Sequence, residues 1–124
     1  MKLETLAQGS HSGLRGRRRQ ELVIRTQPEW DDFYRTLVSE ISPQPTMPVI
    51  DFNQYSVLAV FRGEKYGKGY STDITTVIKT GDNIEVYVRE SSPVGKLTSL
   101  DLSQPYHVVK VEKVKGKVKF SYYS

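Results

Sequence analysis

The chain has no cysteine, two histidines, one tryptophan and no long hydrophobic run. The first absence excludes disulfides, thiolate zinc sites and cysteine nucleophiles. No apolar stretch approaches the roughly 20 residues that a membrane-spanning helix requires. The start Met1-Lys2-Leu3-Glu4-Thr5 also lacks the apolar centre of a secretory signal. The protein is therefore expected in the cytoplasm, or exported or lipid-anchored if a targeting segment was removed ahead of Met1. Catalytic groups are equally sparse. His11 and His107 are far apart in sequence, and His107 stands directly before a strand-like run, where a hydrogen-bonded structural histidine is the commoner role. The serines sit in no nucleophile elbow, and Asp51, Asp73, Asp82 and Asp101 show no metal-ligand spacing. The expectation is a protein with no enzymatic activity, no metal and no cofactor.

What is present suits a small β-rich domain. A chain of 124 residues buries roughly two-thirds of its unfolded surface, enough for one core without covalent staples. Hydrophobic residues make up 37%, and eight tyrosines supply much of the bulk, a balance that favours a half-solvated antiparallel sheet over a buried parallel one.

Glu21 to Arg25 reads as a strand. One helix follows, opened by Thr26 and Glu29 in capping-box spacing with Pro28 in its first turn. Trp30, Phe33, Tyr34, Leu37, Val38 and Ile41 then form a single apolar face. Pro43, Pro45 and Pro48 end the helix. Beyond Val49 the period changes to two: Val57 to Phe61 is continuous and apolar, as in a central strand, while 70–78 and 84–88 alternate about a turn at Thr80-Gly81-Asp82-Asn83. Residues 91–105 read as a long loop. Val108 to Val114 and Val118 to Tyr122 read as a last hairpin turning at Lys115-Gly116. The fold class is α+β: a predominantly antiparallel sheet or sandwich with one N-terminal amphipathic helix packed on it. The single domain 1–124 divides into an N-terminal strand and helix, 1–48, and an antiparallel β region, 49–124.

Phe61-Arg62-Gly63-Glu64-Lys65-Tyr66-Gly67-Lys68-Gly69-Tyr70-Ser71 joins two strands with three glycines in seven residues. That is more glycine than a plain hairpin needs, and it implies a loop of demanding shape. Two readings stand. The loop is a glycine-shaped hairpin with Tyr70 covering a sheet edge, or a partner-binding loop anchored by Tyr66 and Tyr70. A phosphate cradle is excluded by the spacing Gly63-x-x-x-Gly67-Lys68-Gly69 and by the strand that follows. Pro93, Gly95, Gln104, Pro105 and Tyr106 punctuate the second loop, as structural stops or as a binding edge shared with the first.

The net charge of +4 is concentrated in Arg15 to Arg19 and in Lys110, Lys113, Lys115, Lys117 and Lys119. The lysines interleave with apolar residues, which places them on a solvent face and guards strand edges. The tighter cluster Arg15, Arg17, Arg18 and Arg19, with Tyr122 and Tyr123, offers an anionic surface or a nucleic acid a place to bind, although no nucleic-acid motif accompanies it.

Several ordered pieces resemble the PrcB-like protease-complex family: Gln8-Gly9, Ser12-Gly13-Leu14, Glu29-Trp30, Val49-Ile50-Asp51-Phe52, Val57 to Phe61, Gly69-Tyr70-Ser71, Glu90 to Pro93, and Pro105-Tyr106-His107-Val108-Val109-Lys110. Members of that family usually carry a Pro-Thr-Gly-Gly-Tyr type loop. Here Gly69 and Tyr70 carry over, while the proline and the first glycine do not. The resemblance implies a bacterial, commonly exported, non-enzymatic accessory partner of a protease complex. By analogy with small β inhibitors, Gly69-Tyr70 beside Pro105-Tyr106 also suits protease inhibition. The expected partner-binding residues are Gly63, Tyr66, Gly67, Gly69, Tyr70, Pro93, Pro105 and Tyr106. The expected partner is a protein, a protease or envelope complex, in preference to nucleic acid.

Overall fold

A computed structural model describes residues 1–95 and 101–124. Among the described residues, nine strands and one helix follow in the order β1 (Leu3–Gly9), β2 (Gln20–Ile24), α1 (Gln27–Leu37), β3 (Tyr55–Phe61), β4 (Lys65–Tyr66), β5 (Ser71–Thr80), β6 (Asn83–Ser91), β7 (Leu102–Ser103), β8 (Tyr106–Glu112) and β9 (Val118–Tyr123). They form a four-stranded antiparallel sheet, β1-β8-β3-β2, a three-stranded sheet, β5-β6-β9, and a two-stranded ribbon, β4-β7. This is the expected α+β architecture, rich in antiparallel pairs.

The layers follow from the period of two in β3 and β8. Leu58, Val60, Val109 and Val111 point one way and pack on Ile74, Val77, Ile84, Val86 and Val88 of the smaller sheet. Val57, Ala59, Phe61 and Val108 point the other way, onto Trp30, Tyr34 and Leu37 of the helix. The larger sheet is thus the middle layer, and β3 is apolar from Val57 to Phe61 because both of its faces are covered. Trp30 is fully buried, and its indole N–H donates to the Pro48 carbonyl at 3.0 Å.

Helix α1 begins as expected. Thr26 is the N-cap and accepts from the Glu29 amide, while the Glu29 carboxylate accepts from the Thr26 hydroxyl and the Arg25 amide. The helix is shorter than its apolar face. Leu37 is its last residue, its carbonyl taking the Gly13 amide at 3.0 Å, and Ile41 packs on the core from beyond the helix end.

Three expectations are corrected. Residues 3–9, read only as a mildly apolar stretch, form edge strand β1. A register shift between Thr5 and Ala7 breaks its alternation, which hides it from a period-two reading. The loop expected at 91–105 is shorter: β6 runs to Ser91 and β7 occupies 102–103, while residues 96–100 of that expectation lie outside the described residues. The last hairpin does not form. β8 lies between β1 and β3, and the chain then crosses to the other sheet, where β9 runs parallel to β6. The crossing is held by outside partners. Arg25 donates to the carbonyls of Val114 and Gly116, Ser56 accepts from the Val114 amide, and Asn83 accepts from the Lys117 amide.

Candidate functional site

Where β3 ends, the next six residues, 62–67, are fastened at almost every step. The Arg62 amide donates to the Pro105 carbonyl, the Glu64 amide to Gly16, and the Gly67 amide to Asp101. Lys65 and Tyr66 pair as β4 with Ser103 and Leu102 of β7. All three loop glycines have positive φ: Gly63 at +101°, Gly67 at +103° and Gly69 at +92°. At Gly63 a Cβ would stand 2.4 Å from the Arg17 carbonyl oxygen, and at Gly69 it would stand 3.0 Å from Pro93 Cβ. The two loops read separately from the sequence therefore meet, Gly69 lying against Pro93.

Arg62 is the staple of this corner, a role the sequence did not single out. Its side chain is 11% exposed. One Nη donates to the carbonyls of Ser71 and Ser91, and the other to Ser92 Oγ at 2.7 Å. Its guanidinium lies 5.2 Å from the centre of the Tyr70 ring and 4.0 Å from the Glu90 carboxylate. Arg19 approaches Glu90 from the other side with two hydrogen bonds, at 2.6 and 3.0 Å, which hold its guanidinium protonated against the cost of burial. Nothing in hydrophobic periodicity marks such an arginine. The only cue is a cation directly after the most buried strand.

The eight expected contact residues divide by exposure. Tyr66, Gly69 and Pro93 are exposed and Tyr70 is half-buried. Gly63, Gly67, Pro105 and Tyr106 are buried. Pro105 supplies the carbonyl that fixes Arg62, and Tyr106 faces the helix-side core with its phenol pKa raised by burial. Those four residues hold the loop from beneath, and their side chains are not on the surface. Val94, missed by the sequence reading, is fully exposed beside Pro93. Tyr66, in the glycine loop, is 55% exposed. A cleft of about 340 Å³ between Gly67 to Tyr70 on one side and Ser10, His11 and 101–103 on the other opens at the same place.

His107 is buried at the meeting of the two larger sheets, and its surroundings superficially resemble a catalytic triad. Thr5 Oγ1 lies 2.9 Å from Nε2, and Asp73 Oδ1 lies 3.4 Å from Nδ1. The hydrogen bonds argue otherwise. The Ile74 amide donates to Nδ1 at 2.8 Å, so Nδ1 carries no proton and Nε2–H donates to Thr5. A ring in that tautomer has no free lone pair to activate the threonine. Burial lowers the His107 pKa, with Asp73 opposing in part. Among the described residues, no group of three or more His, Cys, Asp or Glu is placed to hold a metal ion. No described helix is long and apolar enough to cross a membrane.

The basic residues fall into two groups. Arg15 pairs with Glu40 and, at 3.8 Å, with Glu64, while Arg19 pairs with Glu90, all at the glycine-loop end. Lys113, Lys115 and Lys117 surround the crossing near Asn83 at the other end of β6. The nine residues of β6 separate the two groups by on the order of 20–30 Å, so they do not make one continuous track.

The fold and this corner define a two-sheet α+β domain that presents a rigid, glycine-shaped loop. Residues 56–112, just under half of the chain, match the family model described as PrcB C-terminal. That segment, from β3 to β8, is similar to the PrcB C-terminal family, in agreement with the resemblance, and it contains every expected contact residue. No curated protein and no solved structure matches the chain.

Proposed function

We propose that this domain is a non-enzymatic binding module, an accessory partner of a bacterial protease complex, contacting its partner through Tyr66, Gly69, Tyr70, Pro93 and Val94. The observation that carries the reading is the contact between Gly69 and Pro93, which locks two loops into one surface edged by exposed Tyr66 and Val94. A surface already ordered loses little conformational entropy on association. Tyrosine supplies a large contact area with few torsions to freeze. The family match adds the protease complex as the kind of partner. The inhibitor analogy relied on Pro105-Tyr106 as a second exposed loop, and with both residues buried it has lost that element. The separation of arginines from lysines likewise weakens a nucleic-acid reading.

Affinity capture from extracts of the source organism is the test. The wild-type domain is expected to retain a protease or protease-associated protein, and the double variant Tyr66→Ser, Val94→Ser to lose it while keeping its fold. Capture of nothing under gentle conditions, or equal capture by both proteins, would count against the proposal. Adding the pure domain to the captured peptidase separates stabilisation from inhibition.

A further inference from the structure

Resting on that reading, we infer that the surface around Tyr66 and Val94 is built for an acidic segment of a protein partner, with apolar side chains set among carboxylates. The charge balance at this end of the molecule carries the inference. Its acids are already engaged: Glu90 by Arg19 and Arg62, Glu64 by Arg15, and Asp101 by a partner of its own. Three of its cations are not. Arg17, Arg18 and Lys68 are exposed and form no ion pair among the described residues. They are also held in place. The backbone of Arg17 and Arg18 packs against Gly63, and Lys68 stands between Gly67 and Gly69, both fixed in positive-φ conformations. Cations on the backbone that packs against Gly63, and in the loop that carries Tyr66 and meets Pro93 at Gly69, match a partner that presents carboxylates around one or two apolar anchors. Opposite charge at the rim steers association, and burial at the centre holds it.

A polyanion such as nucleic acid fits less well. It would gain from a continuous basic track, and the lysines of the crossing lie at the far end of β6. A fully exposed aliphatic residue such as Val94 has no use in phosphate contact.

Titration of the ¹⁵N-labelled domain with three probes tests the inference. They are a twelve-residue peptide rich in Glu and Asp with one Phe and one Leu, the same peptide with Lys for each acid, and a single-stranded 20-nucleotide DNA. The acidic peptide is expected to shift the amides of Arg17, Arg18, Tyr66, Lys68, Gly69 and Val94. The triple variant Arg17→Glu, Arg18→Glu, Lys68→Glu should weaken that binding at least tenfold, and so should raising the salt from 50 to 300 mM. Tyr66→Ser should weaken it with no change in salt dependence. Absence of shifts at these residues up to millimolar peptide would overturn the inference, as would equal binding of the lysine peptide. Tighter binding of the DNA at this end would replace the protein segment with a nucleic acid. A partner captured from extracts whose retention survives the triple charge reversal but not Tyr66→Ser would overturn the acidic specificity and leave the protein-binding reading standing.

Discussion

His107 Nδ1 accepts a hydrogen bond from the Ile74 amide at 2.8 Å, so a side chain of β8 takes the backbone group that a neighbouring strand would otherwise pair. Two residues earlier, Gln8 Nε2 donates to the Thr72 carbonyl. Between them, β1 and β8 fasten the outer edge of β5, and the edge is satisfied without a further strand. This is one seam joining the β-sheets. A second seam runs along β9 and β2, where Tyr122 meets Glu21 and Arg19.

The first seam makes stability depend on pH. Burial lowers the His107 pKa below its ordinary 6.5, so the unfolded chain binds a proton more readily than the native one. The contribution is complete above pH 6.5 and is lost as the pH falls below it, at up to about 1.4 kcal/mol per pH unit. His107→Gln retains an acceptor for Ile74 and a donor for Thr5 but does not titrate. Urea denaturation from pH 5 to 8 should show the wild type losing stability relative to the variant below pH 6.5. Parallel curves across that range would remove His107 as the cause.

Arg62 should matter for the shape of the loop although its side chain is only 11% exposed. Arg62→Ala leaves the Ser71 and Ser91 carbonyls without their charged donor and leaves Glu90 with Arg19 alone. Hydrogen bonds to charged groups contribute roughly 1.5–3 kcal/mol each. Because Ser71 is partly solvated, a total loss of about 2 kcal/mol is expected. Arg62→Lys keeps the charge and loses the fork, so it should recover less than half. Amide exchange at 70–72 and 91–93 should rise in both variants. Unchanged exchange there would show that Arg62 does not hold the loop.

The loop glycines are not equivalent. Alanine at Gly63 combines a positive φ with a clash against the Arg17 carbonyl, a backbone atom that cannot turn aside. At Gly69 the obstacle is Pro93 Cβ at 3.0 Å, which has more room to give. Strained φ costs on the order of 1–3 kcal/mol, so Gly69→Ala should lose about 1–2 kcal/mol and Gly63→Ala more than about 3. Gly69→Ala should also displace Pro93 and weaken partner capture beyond its effect on stability. Equal denaturation midpoints for the two variants would contradict this ordering.

How far the sequence could be read follows from which interactions are local. The Thr26–Glu29 cap, the apolar face from Trp30 to Leu37 and the turn at 80–83 depend on residues within a few positions of one another, and all appear as expected. The sequence pattern marks Val108 to Val114 and Val118 to Tyr122 as strands, close to the observed β8 and β9, but it carries no information about their partners. The pairing of β9 with β6 is fixed by Arg25, Ser56 and Asn83, all distant in sequence. The site divides in the same way. Three glycines announced a shaped loop, whereas the exposure of Val94, the burial of Tyr106 and the clamp of Arg62 depend on tertiary contacts that leave no periodic trace.

The second seam should respond to pH in the opposite sense. Tyr122 donates to Glu21 Oε2 at 2.5 Å beneath the Arg19 guanidinium, 3.8 Å from the ring centre. Burial first, and then the Glu21 hydrogen bond, raises its pKa above the ordinary 10.0. The folded chain therefore keeps a proton that the unfolded chain gives up near pH 10, so the contribution is complete below pH 10 and is lost as the pH climbs past it. Tyr122→Phe retains the ring under Arg19 but has neither the hydroxyl nor the titration. Near pH 8 the variant should be less stable than wild type by about 1 kcal/mol, the worth of one hydrogen bond. Between pH 10 and 11 that gap should narrow, because only the wild type loses stability through this group. A gap that stays constant from pH 8 to 11 would mean that the Tyr122 phenol ionises as freely in the folded protein as in the unfolded chain, and that the β9–β2 seam does not hold its proton.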